Sequence, residues 1–334
     1  MATKRDLNEK QLRSFLKRGQ KSIIEICEHF NSSPQAVRKM ISKLKDDSYD
    51  IVETDTEGFE LNLDFNKGIV KHDYDPGMWK GDLLRFGFVS DNHLCNKNSR
   101  EDVLNTLYDI FAGEEVKTVY NGGNWIDGEF RWNKNEVFVH GATNQLKYCA
   151  RNYPYRVGIT TKFIAGDDHE GWYAQREGID VGDYLQKHRM DDYGYNDLEY
   201  LGYAEADILL SEPEQKHKSY MRLLHAGGGT AYALSYSVQK IVESYQGGEK
   251  PAILLVGHYH KLSYEFPREV HAVQMATTCD QTLFMRKQKI QAMVGGGIIT
   301  ATRNKEGVIC RFQPEFITFY DKGFYIGKDK YWKK

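Results

Sequence analysis

Residues 84–90, 116–120, 158–165, 220–224 and 252–256 are short, apolar-rich runs with strand character, and each stops at a cluster of polar, ligand-type residues. The clusters read Asp91-Asn92-His93, then Gly123-Asn124-Trp125-Ile126-Asp127-Gly128, then Gly166-Asp167-Asp168-His169-Glu170, then His225 ahead of three glycines, then Gly257-His258-Tyr259-His260. A parallel α/β sheet gathers its loops at the carboxyl ends of its strands. A strand followed by ligand-type residues, five times over, therefore restricts the chain to an α/β fold whose strand ends converge on one site.

The residue types point to a class of ion. Imidazole nitrogen mixed with carboxylate and amide oxygen suits Mn, Fe, Zn or Mg rather than a thiolate-seeking metal. Two such ions a few ångströms apart polarise a phosphoryl oxygen and bring the pKa of water to about 7. Five of the chain's 11 histidines fall in these strand-end positions. Cys95, two residues past His93, is read as a buried bystander.

In this order the fragments resemble the calcineurin-like metallophosphoesterases, whose pattern runs D-x-H, G-D-x-x-D, G-N-H-[DE], H, G-H-x-H. The resemblance spans residues 84–262 and is specific to the superfamily, not to a substrate. It implies a two-sheet α/β sandwich with two divalent metal ions, manganese first and iron, zinc or magnesium as alternatives. By position it implies Asp91, His93 and His260 as ligands of one ion and Asp168, His225 and His258 of the other, with Asn124 bridging. His169 matches the histidine that protonates the leaving oxygen, and Asp127 a carboxylate that orients it. Two positions depart from the pattern: the bridging Asp is Asn124, and the Asn before the catalytic His is Asp168. Together the changes keep one carboxylate and one amide, so they read as an exchange. The glycine of the third fragment sits one residue early, which leaves Asp167 as a competitor to Asp168.

The first 62 residues have another character. Residues 1–46 hold eleven Lys/Arg against five Asp/Glu, although the whole chain has a net charge of −2. Apolar residues at helical spacing over 22–31 are followed by Ser32, Ser33 and Pro34, an N-cap and first-turn signal for a second helix. That helix buries Val37, Met40, Ile41 and Leu44 and presents Gln35, Arg38, Lys39, Lys43 and Lys45. A hairpin around Thr56-Glu57-Gly58 completes what resembles a winged helix-turn-helix domain. Its basic helix suits DNA. Its wing, with Glu53, Asp55, Glu57 and Glu60, would be repelled by phosphates, so the rival role is protein docking or self-association.

Residues 63–82 read as a linker, and 83–334 as the phosphoesterase domain. Within it, 171–203 reads as an insertion rich in aromatic residues, suited either to stacking bases or to packing an inserted helix pair. Helices are expected over 100–112, 141–151 and 231–245, and strands at 271–278, 307–313 and 316–325 are expected to complete a second sheet. The piece from His225 to His260 resembles phage and prokaryotic relatives of DNA-repair exonucleases. Five scattered cysteines without a C-x-x-C, and no apolar run near the ~18 residues of a membrane span, suit a cytoplasmic protein with no membrane association. The expected activity is a two-metal phosphodiesterase acting on DNA. The alternatives are an enzyme acting on nucleotides or phosphoproteins, and a DNA-binding regulator on a non-catalytic scaffold.

Overall fold

Alternation along the strands builds two stacked sheets. In strand Leu83–Val89, Phe86 and Phe88 point into the space between the sheets, while Gly87 lies against the Phe111 ring and Val89 joins the outer core. In strand Ile253–Gly257, Ile253 and Leu255 meet Phe86 and Phe88 in that inter-sheet core, and Leu254 and Val256 face helix Tyr236–Ser244. Period-two burial on both faces of each sheet gives an α/β/β/α sandwich. The computed structural model describes residues 7–54, 58–63, 68–229, 231 and 233–319.

The larger sheet has seven strands. Its path runs Ile309–Phe319, Val294–Arg303, Leu83–Val89, Thr118–Asn121, Thr160–Ala165, Leu198–Tyr203, with Trp79–Lys80 paired off the path. The last four strands on that path are parallel. The six-stranded sheet runs Ser263–Glu265, His271–Gln274, Ile253–Gly257, Tyr220–His225, Glu205–Leu209, Val70–His72. Here strands 220–225, 253–257 and 271–274 are parallel. All five expected strands form within two residues of their expected bounds, and the expected helices form at Glu101–Gly113, Ala142–Asn152 and Tyr236–Ser244.

Four expectations need correction. Residues 70–82 are not a linker: Val70–His72 is an edge strand, Met78 is buried against Tyr120, and Trp79 lies under the Arg303 guanidinium at 4.2 Å. The stretch 171–203 is only partly an insertion. Its helices Glu170–Glu177 and Val181–Tyr193 lead into Leu198–Tyr203, a strand of the main sheet, and Tyr173 and Tyr184 are core residues. The C-terminal strands do not complete one sheet, because 271–274 joins the six-stranded sheet while 309–319 lies at the edge of the other. Residues 309–319 also form a single strand through Pro314, tolerable because an edge strand has one unpaired side. Of the expected 316–325 strand, residues 320–325 lie outside the described residues.

Before the sandwich come helices Glu9–Leu16, Ile23–Phe30 and Pro34–Asp46 and a three-stranded sheet of Lys21–Ser22, Gly58–Leu61 and Ile51–Thr54. Ser22 and Glu25 form a capping box, and Ser33 Oγ accepts from Ala36 N with Pro34 in the first turn. Asp55, Thr56 and Glu57 of the wing lie outside the described residues. This unit shares a core with the body: Leu61 packs on Gly178, Asp50 N donates to Gly178 O, and Ser48 Oγ donates to Asp183 at 2.7 Å. Lys17 also meets Glu177 at 3.1 Å. No helix among the described residues is long and apolar enough to cross a membrane.

Candidate metal centre

Each expected ligand lies at or just past the end of its strand, and the strand ends converge on one edge of the sandwich. His225 is the last residue of Tyr220–His225; Asp91, His93, Asn124, Asp127, Asp168, His169, His258 and His260 lie in the turns that follow four others. Asp91, His93, Asn124, His258 and His260 all have positive φ, between 46° and 88°. Non-glycine residues rarely adopt that region, and it clusters at functional sites because surrounding contacts must hold it.

Two triads form. Asp91, His93 and His260 bring one ligand atom each within 4.8 Å of one another, as do Asp168, His225 and His258. In the first, His260 Nε2 lies 3.3 Å from Asp91 Oδ1 and 3.1 Å from His93 Nε2. In the second, His225 Nε2 and His258 Nδ1 lie 3.4 Å from opposite oxygens of Asp168. Asn124 Nδ2 is 3.2 Å from Asp91 Oδ1, and its side chain packs on Gly166, which leads to Asp168. Asn124 thus lies beside Asp91, against the loop that leads to Asp168. Asp168 rather than Asp167 enters the second triad.

The backbone sets the imidazole tautomers. His225 Nδ1 donates to Gly122 O at 2.6 Å, which leaves Nε2 as the ligand atom. His258 does the reverse, giving Nε2–H to Gly228 O at 2.7 Å and turning Nδ1 to Asp168. The glycines after His225 therefore supply a carbonyl that fixes the next ligand. His93 Nδ1 is held by Asp127 Oδ1 at 3.2 Å, which turns its Nε2 to Asp91. Among the described residues, buried His225 Nε2 and Asn124 Oδ1 have no hydrogen-bond partner. Buried polar atoms of this kind are normally satisfied; a cation there would satisfy both, His225 Nε2 once its proton toward Asp168 is displaced.

Asp127 departs from expectation. Its carboxylate is closer to His93 than to His169, whose Nδ1 is 3.9 Å away. His169 is positioned instead by the main chain, giving Nδ1–H to Asp127 O at 2.5 Å. Sequence reasoning also passed over the residues that hold these groups. Asn96 and Asn133 donate to Asp127 Oδ2 at 2.9 and 2.8 Å. Ser90 Oγ and His258 N fix Asp91 Oδ2 at 2.6 and 2.9 Å, and Thr277 caps Asp91 O. Ser90 adjoins the first fragment, but Asn133 and Thr277 carry no local signal. Cys95 is buried, with its thiol pKa pushed up by burial, and lies outside both triads.

No family model matches the chain, and no curated protein does. Among solved structures, a novel archaeal phosphodiesterase aligns at 12% identity over 70% of this chain and 100% of its own, with a TM-score of 0.38. A 5'-nucleotidase precursor from Thermus thermophilus aligns at 12% identity over 75% of this chain and 58% of its own, TM-score 0.36. Wild-type Vps29 of Entamoeba histolytica, complexed with zinc, aligns at 12% identity over 71% of this chain and all of its own, TM-score 0.30.

Charge in the site is arranged for ligation. Burial alone would raise the Asp91 carboxyl, but His260, His225 and His93 outweigh it and keep Asp91 ionised. Burial and the charge of His169 push His93 down to about 4, so it is neutral at pH 7 as a ligand must be. Burial would also lower His225, yet the Asp168 carboxylate facing its Nε2 and the charge of Asp91 raise it to about 10. A metal must displace that proton. Divalent-ion affinity should therefore rise with pH between 6 and 9, by up to about tenfold per unit per proton released. Manganese titrations in buffers of different ionisation enthalpy measure the release directly; affinity flat across that range would show that His225 does not ligate.

Proposed function

We propose that this chain is a two-metal phosphodiesterase that acts on DNA. The observation that carries the reading is the pair of His/carboxylate triads opening onto one cavity, whose wall also holds Asn124 and a further histidine, His169. Asp91, His93 and His260 would hold one ion, Asp168, His225 and His258 the other, and Asn124 would reach both. Divalent ions there supply Lewis acidity toward the phosphoryl oxygens and an activated water near neutral pH. A scaffold without metal would leave Asn124 Oδ1 buried and unsatisfied, which counts against that alternative.

His169 supplies the proton. Burial disfavours its imidazolium, but the charges of Asp168 and Asp127 and the bond to the Asp127 carbonyl raise its pKa above the usual value. With Nδ1–H committed to that carbonyl, Nε2–H is the one free to protonate the departing oxygen. The motif resemblance to calcineurin-like metallophosphoesterases agrees with this division of roles. A panel of single-stranded, duplex and nicked DNA, RNA and a nitrophenyl phosphodiester, each with Mn²⁺, Mg²⁺, Zn²⁺ or EDTA, tests the reading. Metal-dependent cleavage of DNA is expected; with a nitrophenyl phosphomonoester added to the panel, turnover of that monoester alone would move the chain to the phosphatases.

The DNA reading leans on the first 62 residues, which we read as a winged helix-turn-helix domain. Gln35, Arg38, Lys39, Lys43 and Lys45 are all exposed on helix Pro34–Asp46. Arg38 is paired with Glu53 at 3.6 Å and Lys43 with Glu9 at 2.5 Å, so Lys39 and Lys45 are better placed to meet phosphates. Since this unit shares a core with the body, charge reversal is a cleaner probe than deletion. The double variant Lys39→Glu, Lys45→Glu should weaken DNA binding and flatten its log–log salt dependence by about 1.8, two phosphate contacts at ~0.9 each. An unchanged slope would assign the domain to protein docking.

A further inference from the structure

The loop after Asp127 and the short helix Leu283–Gln288 carry aromatic rings to the mouth of the metal centre. Phe130 and Trp132 stack face to face, with centroids 5.1 Å apart and planes at 5°. Trp132 continues onto Phe284 at 4.9 Å, and Phe130 meets the edge of His169 at 5.7 Å. Trp132 is 51% exposed and Phe284 42%. Both line the cavity of about 350 Å³ that also contains His169, Asp168 and His260. The rings thus form an open shelf on the His169 side of the site.

The shelf is held rigidly. Asn133 ties the loop to the site, since its Oδ1 accepts from Phe130 N at 2.7 Å and its Nδ2 donates to Asp127. Glu136 ties the loop to the helix by accepting from Leu283 N at 3.0 Å. The same two segments expose Arg131, Lys134, Arg286, Lys287 and Lys289. Phe130 also lines an adjoining hollow with Arg131, Lys134 and Arg176; the acid there, Glu129, is engaged by Gly141 N and His140. A flat apolar face, flanked on the Phe130 side by a hollow holding three cations, fits a ligand that is itself planar and anionic.

We infer that this shelf stacks the nucleobase on the leaving-group side of the cleaved phosphodiester, so the substrate is unpaired at that nucleotide. The inference rests on the nucleic-acid reading above and on His169 as the proton donor, which sets the side. A base lying on Trp132 has left its duplex stack, and stacking on aromatic rings tolerates any base. The cations of the hollow beside Phe130 then meet a flanking phosphate. The enzyme would favour single strands, frayed ends or flaps over intact duplex.

The test uses the full chain loaded with Mn²⁺ and single-stranded oligonucleotides of defined cleavage position. One carries an abasic residue on the leaving-group side of that position and another carries it on the opposite side. The abasic residue on the leaving-group side should raise KM roughly 5- to 150-fold, the range for loss of one stacked base. On the opposite side it should have little effect. Trp132→Ala should raise KM similarly on the intact strand and add nothing on the leaving-group abasic strand, while Trp132→Phe should recover most of the loss. Additive effects of the two changes, or equal effects of the two abasic positions, would overturn the shelf while leaving the nuclease reading intact. The abasic comparison uses the unmodified protein and stands whether or not the variants fold. Turnover of a nitrophenyl phosphodiester without cleavage of any oligonucleotide would instead overturn the nucleic-acid reading, and this inference with it.

Discussion

Asp91→Ala and His260→Ala should each leave a folded protein that no longer retains its first ion and has lost nearly all turnover. Asp91 is completely buried, with Oδ2 fixed by Ser90 and His258 N, so Oδ1 is the atom it offers an ion. His260 Nε2 lies 3.3 Å from that oxygen. Loss of an outer partner of a ligand typically costs ~10–100-fold in affinity or activity, and loss of the ligand itself should cost more. Metal content by mass spectrometry, read beside turnover, checks both halves. Stability separates a local from a global effect: with less bound ion to stabilise the native state, Mn²⁺ should raise the Tm of both variants less than that of the parent. A variant that keeps two ions and its activity would remove that residue from the site.

His169→Ala should behave differently, keeping its metal and losing rate. His169 stands in neither of the two expected ligand triads, although it clusters with His93 and Asp127; its Nδ1 is held by the Asp127 carbonyl. General-acid assistance is worth about 10²–10⁴-fold, and a loss of that size is expected on DNA, whose leaving alkoxide needs a proton. The loss should shrink on a nitrophenyl ester, whose leaving group departs without one. Equal losses on both substrates would take the proton-donor role from His169. Asp127→Asn offers a contrast, because the Asp127 carboxylate acts mainly on His93 while its main-chain carbonyl holds His169.

The clustering of these histidines and carboxylates was legible because two independent patterns coincide. Strand Leu83–Val89 announces its end by alternation, and Asp91 and His93 follow at once; the same is true four more times. What could not be read is how the turns achieve convergence. Positive φ at Asp91, His93, Asn124, His258 and His260 has no glycine to betray it, since tertiary contacts impose it on residues that resist it. Strand Val294–Arg303 was missed because its Gly295-Gly296-Gly297 run reads as loop. The structure needs that run: a Cβ at Gly297 would lie 2.6 Å from the Phe88 ring and 2.3 Å from Glu315 O.

Helix Glu9–Leu16 hid for a related reason. Only Leu12 and Leu16 are fully buried on it, too few to set up a helical repeat. The edge strand Val70–His72 is three residues long and partly charged, so only its pairing with Glu205–Leu209 defines it. Asn133, Glu136 and the Phe130–Trp132 stack belong to a loop without periodicity. Their part emerges only when the chain brings them beside His169 and Phe284.

Stepwise addition of Mn²⁺ to metal-free protein, counting bound ions per chain while following hydrolysis of a nitrophenyl phosphodiester, bears most directly on the two-metal site. Two ions per chain should bind, with turnover appearing as the second site fills and disappearing again in EDTA. A chain that binds no divalent ion, or hydrolyses the ester equally well in EDTA, would contradict the account.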